Sequence, residues 1–496
     1  MATAAEDRLR TIPNEIDADF VVDTLLTSLS DPHNPQHCAP FLNGCLLSLF
    51  HAEVATHNNA TLCANRPEFF DTCIRFITAT RSTEENNRLQ REMSACKCDV
   101  SHEQAEQLHD CGATSGACTY KDLGFMLAHQ ISSVLLPVRD NGRLHKVERN
   151  QRRAVRTGKP VPWPRSPQDV LPYGVKNSIA ALAAWMEFGF SNDIRLGYNY
   201  CIYVGFLASI IALFKREVIL PILESPTLPG RIISFAESPL LVFAGRLPMP
   251  SDVGPDGLML QITGAAKCYY MIVDYFDEDE FRMLYAKAIE QLGYGNPNRS
   301  LMGICSTATL TLPILLQRAP PESQTAKDIQ WCINIFSSVG AISHRYLDLP
   351  YDTAKYGPTI LDSVRKRREL EKFPATRAYS DLMRLWVWER CWSPGCRQTF
   401  VGAGRSFAAC SGCARVTYCS KECLARAWKH ENVPHREVCK KIKYIVDATD
   451  LGPKPNVDGA PLFPLTCFTR NIDNGPLADF SSHMAKLQKH LTLAPR

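Results

Sequence analysis

The densest chemistry in this sequence lies in "CSGCARVTYCSKEC", Cys410 to Cys423, which sets four thiols in two close pairs. Cys391 and Cys396 precede it, and His435 and Cys439 follow. The stretch therefore holds four pairs of soft donors, each pair separated by two to four residues. Thiolate sulfur and imidazole nitrogen bind zinc in a tetrahedron at about 2.3 Å and about 2.0–2.1 Å. Two donors a few residues apart converge from one tight turn or one helical turn, so four pairs make two complete sites with none left over. Protein then fills every coordination position, so the expected sites are structural rather than catalytic. The expected cofactor is zinc, two ions per chain.

Local elements must position these donors. Pro394-Gly395 and Ser411-Gly412 are turn residues that let backbone fold around a metal. Ser420 is a natural N-cap for a helix starting near Lys421 and running through Trp428. Cys419 then lies just before that helix and Cys423 in its first turn. His435 and Cys439 share one face if the chain is helical there. A module of about 50 residues with few aliphatic core candidates needs such a staple, and structural zinc binds finger peptides with about 10–16 kcal/mol.

With these residues in place, the stretch from Cys391 to Cys439 resembles a MYND-type zinc finger, and "YCSKEC" is among the most recognisable parts of that pattern. Pair spacing leaves interleaved and sequential ligand sets open. The resemblance implies the interleaved one: Cys391, Cys396, Cys419 and Cys423 on one zinc, and Cys410, Cys413, His435 and Cys439 on the other. Two departures stand out. The first pair is Cys-x4-Cys where members usually have Cys-x2-Cys, so its turn must be larger. Members usually carry the ligand histidine three positions after the tryptophan, whereas Trp428 is followed by His430 and later His435. His435 is assigned because its spacing to Cys439 matches the family, which leaves His430 as an exposed helix-end residue. The resemblance further implies protein partners, typically short proline-containing peptides lying along a strand edge and helix. Ser411 and Trp428 match positions that face such a peptide. Leu424 stands where members often carry glutamine. The alternative for Trp428 is a core residue covering a zinc knuckle.

Charge argues against DNA as the ligand. Residues 391–443 carry ten Lys/Arg against three Glu. Seven thiolates around two divalent ions leave the sites net negative, so much of the basic excess compensates the metal centres. The chain's formal charge of +4 is equally mild.

The remaining sequence reads as a large helical body, so the fold class is mainly α with a small C-terminal two-zinc finger. "DFVVDTLLTSLSDP", "PEFFDTCIRFITAT", "SIAALAAWMEFGF" and "EFRMLYAKAIEQLG" carry apolar residues at helical spacing between proline-rich punctuation. Such helices stack into an armadillo-like solenoid or pack as an irregular helical domain, and no crisp repeat period separates the two. The expected division is residues 1–142 helical, 143–170 a basic proline-containing linker, 171–390 helical, 391–439 the finger, and 440–496 a short helix, linker and terminal helix. In "LGYNYCIYVGFLASIIALF", Leu196 to Phe214, the continuous apolar run begins only at Cys201, shorter than the ~20 residues that span a bilayer. A buried core helix is expected, and no membrane contact.

Composition is that of a globular protein, with 45% hydrophobic and 21% charged residues. "MATAAEDRLRTIPNEID" shows no basic flank before an apolar run. The twenty cysteines are thus expected to be reduced thiols or metal ligands. An intracellular setting, cytoplasm or nucleus, follows from that reading. The basic runs at Arg143 to Arg165 and Arg365 to Arg368 read as solvated surface ahead of import or anion-binding signals. Cys96, Cys98, His102, His109, Cys111 and Cys118 offer enough ligands for a further metal, but their spacings fit no zinc pattern. His33 and His37 read as polar surface.

The functional expectation is a zinc-binding, non-enzymatic adaptor in transcriptional or other regulatory complexes. One alternative is a lysine methyltransferase-like enzyme with an embedded MYND finger. In those the catalytic chain mostly follows the finger, whereas 57 residues follow Cys439 here and no Asn-His cofactor signature or nucleotide-binding glycine loop stands out. A nucleic-acid-associated regulator is the other alternative.

Overall fold

The computed structural model describes residues 17–51, 61–96, 98, 103–114, 119–140, 156–157, 161–189, 197–249, 254–293, 301–353, 355–452 and 462–491. Its helices of eight residues or more are α1 (Ala18–Leu29), α2 (Ala39–His51), α3 (Pro67–Thr78), α4 (Thr83–Ser94), α5 (Glu103–Thr114) and α6 (Tyr120–Asp140). They continue as α7 (Gly174–Gly189), α8 (Gly197–Phe214), α9 (Pro255–Tyr275), α10 (Glu278–Leu292), α11 (Leu301–Arg318) and α12 (Gln324–Tyr346). The last six are α13 (Pro358–Glu371), α14 (Pro374–Val387), α15 (Lys421–Trp428), α16 (His435–Thr449), α17 (Leu462–Thr469) and α18 (Asn474–Leu491). Among the described residues the sheet is one antiparallel pair, β1 (Ala408–Ala409) and β2 (Thr417–Tyr418), with Ala408 opposite Tyr418. The basic linker expected from residue 143 lies largely outside the described residues. Part of the stretch expected as a linker after residue 450 is instead helical, as α17.

The helical body is organised around α8. Its residues Val204, Phe206, Leu207, Ile210 and Ile211 are fully buried, and it packs between α6 and α9. No described helix is long and apolar enough to cross a membrane. Apolar on every side, α8 is the core element around which amphipathic neighbours close. One continuous hydrophobic core runs from Val21 to Val364 and takes in Val401 from the zinc-binding stretch. A second, from Ala375 to Leu491, joins α14, α16, α17 and α18 to the cysteine-rich stretch.

A charged joint connects the two cores. Asp277 and Glu280 form a reciprocal capping box at the start of α10. The same two carboxylates receive Arg216, with Glu280 at 2.6 Å and Asp277 at 3.4 Å. The Arg216 guanidinium also lies 4.4 Å from the Trp388 ring centroid, and Trp388 stacks on Trp392 at 5.7 Å with planes 5° apart. Beside it, buried Lys215 pairs with buried Glu389 at 2.9 Å. Both Lys215 and Glu389 adopt left-handed backbone, with φ of 53° and 42°. Such conformations cost free energy in residues other than glycine and persist where surrounding contacts over-determine them. Thr399 donates to Glu217 across the same joint, and Trp388 Nε1 donates to the Asp274 carbonyl at 3.2 Å.

Removing one partner of a buried ion pair leaves an uncompensated charge. Glu280→Ala is therefore expected to destabilise the chain by about 3–5 kcal/mol. A lowered urea midpoint checks this, and an unchanged midpoint would show that Arg216 does not depend on Glu280.

Candidate metal centre

The first donor group forms where two hairpin-like segments cross. Cys391 N donates to the Gln398 carbonyl at 2.8 Å and Trp392 N to the Thr417 carbonyl at 3.0 Å, which lays the chain around Cys391 beside β2. The longer gap between Cys391 and Cys396 is closed by a turn in which Cys396 N reaches the Ser393 carbonyl at 2.9 Å. Pro394 fills its second position, and Gly395, with φ of 72°, its third. That is the sequence a type II turn demands. Cys419 and Cys423 come from the start of α15, where the Ser420 hydroxyl accepts the Cys423 N–H at 3.2 Å as an N-cap. The helix spans Lys421–Trp428, as the capping signal implied.

Their sulfurs meet. Cys396 Sγ lies 3.7 Å from Cys419 Sγ, and Cys419 Sγ 3.4 Å from Cys423 Sγ. Cys391 Sγ accepts the Cys419 N–H at 3.4 Å. The second group joins Cys410 and Cys413, flanking a tight turn, to His435 and Cys439 on one face of α16. Cys410 Sγ lies 3.7 Å from Cys439 Sγ, and Cys413 Sγ 3.7 Å from His435 Nε2. Within each group all four donor atoms lie within 4.8 Å of one another.

A zinc tetrahedron has edges of about 3.8 Å between sulfurs and about 3.6 Å between sulfur and imidazole nitrogen, given its bond lengths. The separations fit those edges. The chemistry also fits. Burial pushes the Cys419 thiol up to about 11 and the Cys439 thiol up to about 12, the direction for sulfur withdrawn from water. A coordinated divalent ion reverses that balance and holds thiolates. Burial also brings His435 down to about 4, so its ring is neutral and able to ligate at ordinary pH. The two tetrads fit two zinc ions.

The MYND finger family model matches residues 391–439. This stretch is a MYND finger. The match covers about a tenth of the 496 residues. Neither a curated protein nor a solved structure matches the chain.

The finger shows details that spacing did not expose. A Cβ added at Gly412 would lie 2.7 Å from Cys439 Sγ, so sulfur occupies the space a side chain would take. The buried Arg390 guanidinium caps the first site, donating to the Cys396 carbonyl at 3.0 Å and the Cys391 carbonyl at 3.3 Å. Arg405 donates to the Cys419 carbonyl at 2.8 Å. These contacts orient ligand residues from outside the coordination shell. A further surprise is α18: His483, Met484 and Leu487 line one small cavity with Trp392, Tyr418 and His435, and Gly395 N donates to the His490 carbonyl at 3.3 Å. The sequence "PLADFSSHMAKLQKHL" implies an amphipathic terminal helix docking on the body, and α18 shares its core with the finger. Its docking face depends on tertiary packing.

Other expected residues fall as follows. His430 stays off the metal group, its Nδ1 accepting the N–H of Asn432 at 3.3 Å and of Val433 at 3.2 Å. Ser411 is exposed. The Trp428 ring lies 5.9 Å from that of the ligand His435, with 38% of the residue's surface open to solvent. The basic run of α13 is locally paired, Lys366 with Asp362 at 2.6 Å and Arg367 with Glu371 at 3.2 Å. His33 is exposed and pairs with Glu85; His37 is half-buried with its ring 5.1 Å from Phe41. Of the six residues of the further candidate set, Cys96 and His109 come together, and Cys98 lies beside them. His102 and Cys118 fall outside the described residues, as does the Cys111 side chain.

Two outcomes follow. Gly412→Ala is expected to lower zinc affinity by at least tenfold without unfolding the helical body, measured by chelator competition and far-UV circular dichroism. Because protons compete with zinc for thiolate and imidazole, both ions are expected to leave as pH falls, read by a colorimetric zinc indicator. Full retention at pH 4 would contradict the thiolate sites.

Proposed function

We propose that this chain is a non-enzymatic adaptor whose MYND finger binds short proline-containing peptides of partner proteins. MYND fingers generally mediate protein contacts, and the finer reading rests on the surface that the zinc-held core leaves open. Both tetrads are complete, so a metal there has no position for substrate. Its use is rigidity. Among the described residues β1 pairs only with β2, and Ala408 and Ala409 are exposed. An extended peptide can add to such an edge through main-chain hydrogen bonds. The half-buried Leu424 and the exposed face of Trp428 lie on α15. Trp428 is the observation that carries the reading: an indole braced against a metal ligand yet still open presents a rigid apolar face at low entropic cost. Proline, with its fixed backbone angle, suits such a face.

The helical body would then hold a second partner, with regulatory complexes the setting. The ion-paired basic run of α13 gives little support to a nucleic-acid ligand, which favours an uncompensated stripe.

The test uses the full-length zinc-loaded chain on an immobilised array of short proline-containing peptides. Wild type is expected to bind a subset, and Trp428→Ala to bind them at least tenfold more weakly, about 1.4 kcal/mol, with zinc content unchanged. Equal binding by the two proteins, or none by wild type, rejects the peptide reading. Saturable binding of S-adenosylmethionine would instead point to an enzyme.

A further inference from the structure

A third group of metal-binding side chains lies far from the finger in sequence. Cys38, Cys96 and His109 bring their donor atoms within 4.8 Å of one another, the same limit that encloses each finger tetrad. They come from three separate elements. Cys38 immediately precedes α2, Cys96 follows α4, and His109 lies in the middle of α5. The packing of α2 against α5 brings the first and last together.

A fourth donor stands beside them. Cys98 Sγ accepts the backbone N–H of Cys38 at 3.2 Å, which sets it next to the group, although it is not within 4.8 Å of all three donors. All three cysteines are free thiols.

The bland explanation is that cysteines here act as small core hydrophobes. It suits Cys38, which is buried, but not Cys96, which is exposed while still turned into the group. His109 is a second difficulty for that explanation. Its Nε2 is shielded from solvent and has no hydrogen-bond partner, a costly state for a polar ring atom. Coordination of the ring would offset that cost. Three thiolates and one imidazole form one of zinc's ordinary structural sets.

We propose that Cys38, Cys96, Cys98 and His109 hold a third zinc ion that clamps the start of α2 to the α4–α5 connection. The site is closed, like those of the finger, so its role is to tie down a part of the helical body. The single-residue gap between Cys96 and Cys98, with Cys38 nearly sixty positions away, gives no recognisable spacing. Only folding assembles the set.

The deciding experiment is elemental analysis of the full-length protein, purified with reductant, loaded with zinc alone and freed of excess. Wild type is expected to carry three zinc ions per chain. Cys96→Ser, at an exposed position, is expected to carry two, and His109→Asn likewise. In Cys419→Ala the ion at the new site should remain. Two ions in wild type with no loss in Cys96→Ser overturns the proposal. So does a third ion that Cys96→Ser leaves in place, or a wild-type mass two hydrogens light from a disulfide joining Cys38 to Cys96 or Cys98. Should Cys96→Ser misfold, the cobalt-substituted wild type decides. Thiolate-to-cobalt absorption equivalent to three sites supports the third site, and absorption equivalent to two rejects it. Loss of finger zinc alone leaves this result readable, because the new site is read as the difference between wild type and Cys96→Ser.

Discussion

Sulfur withdrawn from water without a counter-charge resists ionisation, and that constraint shapes the C-terminal part of this protein. Seven thiols and one imidazole are gathered into two groups of four, and burial pushes the thiols of Cys391, Cys413, Cys419 and Cys439 up. A divalent ion in each group converts them to thiolates and fixes their separations. The turn at Ser393–Cys396, the cap at Ser420 and the bare Cα of Gly412 all serve that geometry. Neither β1 nor β2 exceeds two residues, too short to be stable alone. The metal groups hold them in register, and α15 takes its place against them.

The finger is not a loose appendage. Its hydrophobic core is continuous with α14 before it and with α16, α17 and α18 after it. Val401 reaches into the core of the helical body. Charges reinforce the contact: Arg216, held by Glu280 and Asp277, lies over Trp388, and Trp388 stacks on Trp392 beside the ligand Cys391. Slippage at a buried ionic joint of this kind would leave a charge without its partner, which is costly.

Much of this was legible in the residues. Local patterns act within a few positions, and there the reading was sharp: the helix at Lys421–Trp428 followed from Ser420, and α8 read as a core helix from the length of its apolar run. Family resemblance supplied the interleaving of the two tetrads, which spacing alone had left open. The illegible parts share one property, that their partners are distant in the chain. Nothing near Arg390 indicates that its guanidinium caps Cys391 and Cys396, and nothing near His483 indicates the cavity it lines with Tyr418.

The sequence by itself determined that zinc would be bound near residues 391–439, that the body would be helical, and that a helix would start at Lys421, because donor chemistry, capping and apolar periodicity operate over one or two turns. Tertiary structure alone decided that Trp428 keeps an open face, that α18 packs into the core of the finger, and that Cys38 joins Cys96 and His109. Those outcomes depend on which helices pack together, and packing is settled by the burial of whole surfaces rather than by neighbours in the chain.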